Sequence, residues 1–130
     1  MSKPLVDIMN LNITRYGYKF NKDKFFRTFD EEYDELKSAL KNDDEYELVD
    51  AANDMIVVLG GLLTQNKYNP ELTLKQTVKE IKARKQDPAQ ATAWKENPAL
   101  QDVEKWKKDK NQDVSTLYKA DYSTCKLIKG

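Results

Sequence analysis

The chain has 130 residues with 22 Lys plus Arg, 22 Asp plus Glu and no histidine. One domain is the expected organisation at that length. Zero net charge removes whole-surface attraction to nucleic acid or anionic lipid, and the missing imidazole removes Ser-His-Asp, Cys-His and His-zinc chemistry. Four glycines and four prolines are too few for the turns of an all-β sandwich.

Leu5 to Tyr16 reads as a short helix stopped by Gly17. Asn21 or Asp23 caps a second helix that runs to about Lys41, and Asn42-Asp43-Asp44 is a turn that also supplies the next cap. A third helix follows from Glu45 to Gln65, with Gly60-Gly61 in its last turns, where they cost stability or admit a close neighbour. Pro70 sits near the favoured first position of a fourth helix ending near Lys85. From Asp87 onward the periodicity fades. Trp94, Trp106 and Tyr118 are scattered among polar residues, a short helix fits Pro98 to Lys108, and the last twenty residues read as an extended tail. The expected fold is all-α: an antiparallel bundle of about four helices at 1–86, and a C-terminal extension at 87–130 packed on the same domain. Met55 to Leu63 is too short an apolar run to cross a bilayer. The first residues lack a signal-peptide pattern, and Cys125 has no second cysteine to pair with. The expectation is a cytoplasmic protein without a membrane partner.

Two helices carry a chemical signal. On the second, Phe25, Phe29, Tyr33, Leu36 and Leu40 form an apolar stripe at helical spacing. Glu32 borders that stripe, Glu35 lies about 60° further round and Glu31 further still. On the third, apolar residues cover most of the circumference, yet Glu47, Asp50 and Asp54 fall within about 60° of one another. Like charges on a largely buried helix are costly unless neutralised. A short link makes the two helices a hairpin, so their acidic edges can face one another. Oxygen-only donors select Mg²⁺ or Mn²⁺ rather than zinc, and Mg²⁺ prefers a few carboxylates plus substrate phosphates. A solvated acidic face is the plain alternative.

Glu31-Glu32-Tyr33-Asp34-Glu35 followed by Glu47-Leu48-Val49-Asp50 resembles the E-E-x-x-E … E-x-x-D signature of the all-α nucleoside triphosphate pyrophosphatases. Asp50 to Gly60 resembles the D-A-x-x-D-x-x-x-V-x-x-G run of the phosphoribosyl-ATP pyrophosphohydrolase-like branch. Proteins of this MazG-like kind often occur in bacteriophage genomes, where the host cytoplasm would be the setting. The resemblance implies a metal-activated water attacking between the α- and β-phosphates of a nucleoside triphosphate. It implies Glu32, Glu35, Asp50 and Asp54 as metal ligands, with Glu47 as the base or a further ligand. Two registers fit the second motif, one on Glu47 and Asp50 and one on Asp50 and Asp54.

Cations and amides for the substrate are sought elsewhere on the chain. Lys82, Arg84 and Lys85 at the end of the fourth helix, Arg27 one turn before the acidic motif, and Asn12 in the first helix are the candidates. The expected partners are a nucleoside triphosphate and further copies of the chain, as a homodimer or homotetramer, with no specific nucleic acid. Two rival readings stand beside this one: a phosphoribosyl-ATP pyrophosphohydrolase, and a non-catalytic helical module whose acidic stripe docks a basic partner.

Overall fold

The computed structural model describes residues 3–127. It is all-α: α1 (Pro4–Tyr16), α2 (Lys22–Lys41), α3 (Glu45–Gln65), α4 (Pro70–Ala83) and α5 (Pro88–Glu96) are followed by short 3₁₀ turns. The boundaries have chemical causes. The Asn21 side chain accepts from the Lys24 N–H at 3.0 Å and starts α2, and Asp44 does the same for Glu47 at 3.2 Å and starts α3. Asp43, between the two helices, adopts the left-handed conformation with φ 52°, which Asp tolerates better than most residues. Asn69 accepts from the Glu71 and Leu72 N–H groups at the head of α4.

The chain divides into two compact units. The first contains α1, α2, α3, the first turn of α4 and the segment from Tyr122 onward; the second is Leu74–Asp121. In the first unit α2 and α3 pack as a hairpin, with Ala39 and Ala51 buried in it. Small side chains at those positions let the helix axes approach. α1 docks on the far end of α3 because Gly60 and Gly61 carry no Cβ. A Cβ on Gly60 would lie 2.8 Å from Cγ2 of Ile8, and one on Gly61 would lie 2.7 Å from Oδ1 of Asn12. The glycines are therefore an opening for a helix. Cys125 is buried beside the α3–α4 link, where the Asn69 N–H donates to its carbonyl at 2.8 Å and the Leu127 N–H donates to the Lys67 carbonyl at 2.8 Å.

The second unit is held by polar bonds. Asp87 N–H donates to the Lys107 carbonyl at 2.9 Å and Asp109 N–H to the Lys85 carbonyl at 2.8 Å. Gln90, buried, donates to the Lys105 carbonyl at 2.9 Å and accepts from the Lys107 N–H at 2.7 Å. Trp94 Nε1 donates to Glu104 at 2.9 Å, Tyr118 donates to Gln76, and the Ala120 N–H donates to Glu80 at 3.1 Å. Three elements differ from expectation. α4 ends at Ala83, α5 occupies the stretch read as irregular, and only a 3₁₀ turn at Pro98–Asp102 stands where a helix to Lys108 was expected. Asp87 explains α5: its side chain accepts from the Gln90 N–H at 3.1 Å, and Pro88 takes the first position.

Candidate metal centre

Glu32 and Glu35 leave α2 one turn apart, and Asp54 leaves α3 opposite them. A carboxylate oxygen from each lies within 4.8 Å of the others. Glu32 is half-buried at this crossing, and its Oε2 is shielded from solvent with no hydrogen-bond partner. Burial pushes the Glu32 carboxyl up to about 7 from its usual 4.5, and the neighbouring charges of Glu35 and Asp54 add to the rise. An orphaned, shielded oxygen among three converging carboxylates fits a divalent cation. Bound there, a cation would replace the shared proton as the neutralising charge.

The other sequence candidates fall in different places. Asp50 is exposed on α3, one turn before Asp54, which is a rise of about 6 Å; Glu47 is exposed and nearly two turns before it, about 10 Å. Among the described residues the close group is Glu32, Glu35 and Asp54, without Asp50 or Glu47. Glu31 and Arg27 are exposed on α2. Asn12 is buried on α1; its Nδ2 donates to the Ile8 carbonyl at 2.9 Å and its Oδ1 accepts from Gln65 at 3.4 Å. Lys82, Arg84 and Lys85 belong to the second unit. There Arg84 pairs with Glu80 at 3.6 Å and the Lys85 N–H donates to Gln112 at 2.9 Å.

A cavity of about 390 Å³ opens among α1, α2 and α3, lined by residues one helical turn from the carboxylates rather than by the carboxylates themselves. Its lining includes Thr28, one turn from Glu32, and Val57 and Val58, one turn from Asp54, together with Asn12, Phe25, Gly61 and Leu62. Gln65, Arg15, Lys19 and Lys24 belong to the same lining and were not among the sequence candidates. The three cations come from the last turn of α1, the link and the first turn of α2. Their meeting is a tertiary event that helical periodicity cannot show. The available signal was four cations, Arg15, Lys19, Lys22 and Lys24, within ten residues ahead of the acidic motif.

Facing carboxylates on two antiparallel helices are a donor set that can hold a divalent cation. A family model described as phosphoribosyl-ATP pyrophosphohydrolase matches residues 12–93. The chain belongs to that family, within the MazG-like all-α pyrophosphohydrolase superfamily. Comparison with curated proteins and with solved structures gives no match. Among the described residues no helix is long and apolar enough to cross a membrane.

Proposed function

We propose that the chain is a magnesium-dependent hydrolase that splits nucleoside triphosphates between the α- and β-phosphates. The products are a nucleoside monophosphate and pyrophosphate. The carrying observation is the convergence of Glu32, Glu35 and Asp54 one helical turn from the cavity. Magnesium, when bound, offsets phosphate charge and lowers the pKa of a water. Glu32, Glu35 and Asp54 hold the ion. Asp50, on the same side of α3, extends the carboxylate row toward solvent. Glu47, at the exposed end of that row and about 10 Å along α3 from Asp54, takes the proton of the attacking water through an intervening water. The cavity takes the sugar and base, with Phe25 and Leu62 against the ring. Pyrophosphate release from a panel of nucleoside triphosphates, with Mg²⁺ and with excess chelator, tests this; equal release in chelator overturns it. The family match favours a second reading, with phosphoribosyl-ATP as substrate and the same bond broken.

The proposal includes a second copy of the chain. Phe26, Tyr33 and Leu40 on α2, and Val49, Ile56 and Leu59 on α3, are 42–58% exposed. They recur at alternating three- and four-residue spacings, once Phe29, Leu36, Ala52 and Leu63 between and beyond them are counted. That is the spacing of helices that pack nearly parallel in four-helix bundles. At 100° per residue this stripe lies across α3 from Asp54, so two hairpins joined through it leave both carboxylate groups open. Six half-exposed side chains offer on the order of 500 Å², about the apolar share of the ~800 Å² each partner contributes to a standard interface. Light scattering of the dimer reads about twice 15.1 kDa, and Ile56→Glu halves it; a single-chain mass at micromolar concentration contradicts the dimer.

A further inference from the structure

Phe25, Val57, Val58 and Leu62 give the cavity apolar walls, and two amides meet on its lining, Asn12 and Gln65. Asn12 is 7% exposed, so its polar atoms are out of water and need partners from the protein or from a ligand. Its Nδ2 has one, donating to the Ile8 carbonyl at 2.9 Å. That bond also fixes the orientation of the amide, because a carbonyl can only accept. Oδ1 is therefore the atom turned toward α3. It lies 2.7 Å from the point that a Cβ on residue 61 would occupy, so it fits only over the bare backbone of Gly61. Among the described residues its one donor is Gln65 Nε2 at 3.4 Å, beyond the usual range of an N–H···O bond. A buried carbonyl oxygen with two lone pairs and one long bond is under-satisfied.

Depth along α3 indicates what would complete it. Gly61, against which Oδ1 rests, follows Asp54 by seven residues, a rise of about 10 Å. With the α-phosphate at the carboxylates, sugar and base fill that stretch and the far edge of the base arrives at Asn12. The geometry points to Asn12 Oδ1 as the acceptor that reads an N–H on the base edge away from the sugar, with Gln65 as a second, adjustable amide. This rests on the proposed pyrophosphohydrolase reading and sharpens it by naming what the cavity rejects: nucleotides whose base edge has lost its N–H. Adenine and cytosine supply an amino group there; guanine, uracil and thymine supply a ring N–H. Gln65 is only half-buried and can turn either its carbonyl or its NH₂ to the neighbouring edge atom. Asn12 therefore tests whether the edge is intact, and not which base carries it. A site that offers a buried hydrogen-bonding group discriminates strongly against a ligand lacking the counterpart, because the group is then left unpaired, whereas apolar walls discriminate weakly.

The test is calorimetric binding of nucleoside monophosphates to the full chain with Mg²⁺, in pairs that differ at the edge. AMP is paired with purine riboside 5′-monophosphate and CMP with the pyrimidin-2-one analogue, each lacking only the amino group. UMP is paired with N3-methyl-UMP and IMP with N1-methyl-IMP. In the pair whose intact member binds most tightly, wild type should prefer that member by roughly tenfold or more. Asn12→Leu, similar in volume but without an acceptor, should bring the ratio to within about twofold of unity. Asn12→Asp, which keeps an acceptor oxygen, should retain a preference for the intact edge. A purely structural role for Asn12 would weaken both members alike and keep the ratio, and that result overturns the proposal. Wild type binding both members equally overturns it without any variant, and absence of binding by every intact monophosphate counts against it. Preference for the intact edge supports the subsite even if no triphosphate is hydrolysed. Pyrophosphate release at equal kcat/KM from both triphosphates of each pair keeps the hydrolase reading and sinks the subsite alone.

Discussion

The α2–α3 hairpin and the segment from Asp87 to Asp121 solve different problems with different chemistry. The hairpin is ordered by shape. Ala39 and Ala51 bring two helices close, and the approach forces Glu32, Glu35 and Asp54 together. The later segment is ordered by amides. Gln90 alone bonds to Lys105 and Lys107, and Gln112 and Gln76 tie down further backbone and side chains. A shape-built region can tolerate strain at one point and use it for binding. An amide-built region distributes its stability over bonds that each need a specific partner.

That contrast can be broken most severely at the hairpin. Asp54→Asn should remove turnover altogether while the helices remain, because it takes away one of the three carboxylates without changing volume. Helical circular dichroism and pyrophosphate release, measured on the same sample, check it. Glu47→Gln should lower kcat by roughly 10²–10⁴-fold and leave Mn²⁺ affinity within a few-fold, since Glu47 lies outside the close group. If calorimetry shows Mn²⁺ binding lost as badly as in Asp54→Asn, Glu47 is a ligand and the other register of the motif is correct.

The amide-built region should answer in stability alone. Gln90→Ala leaves the Lys107 N–H and the Lys105 carbonyl without their partner and should cost about 2 kcal/mol, read from urea melts, with Mn²⁺ binding at the hairpin unchanged.

A smaller effect concerns pH. Glu32 has its carboxyl raised to about 7 in the folded chain, from the usual 4.5. The native state therefore holds a proton that the unfolded state has released between those values, and stability from this group falls as pH rises through the window. Without metal, Glu32→Gln should raise the melting temperature at pH 8 by a few degrees and leave it unchanged near pH 4. Added Mg²⁺ should stabilise wild type far more at pH 8 than at pH 5. A Glu32→Gln melting curve that tracks wild type at every pH would refute the carboxylate strain.

The same contrast explains what could be read in the sequence. The first four helices and both faces of the hairpin follow from apolar spacing and from Asn21, Asp44 and Pro70 at their starts. Glu32, Glu35 and Asp54 were legible because helical angles place them on edges that a short link must bring together. The register was not: Asp50 and Asp54 differ by one turn on nearly the same face, and only the depth of the crossing, set by Ala39 and Ala51, brings Asp54 into the close group. α5 was missed because nine residues with a weak apolar face carry little periodicity, although Asp87-Pro88 was a starting signal. The Gln90 network was invisible, since a glutamine's partners seventeen residues away leave no local trace.

The sole thiol of the chain offers a clock. Cys125 is 2% exposed, and its carbonyl is held by the Asn69 N–H while Leu127 returns a bond to Lys67. A thiol reagent can reach the sulfur only after those two tethers release. The labelling rate then equals the intrinsic rate multiplied by the fraction of time the tethers are open. Because the tethers close on the link that follows α3, this one covalent reaction, followed on the unmodified chain, reports how firmly that end of the hairpin unit is latched.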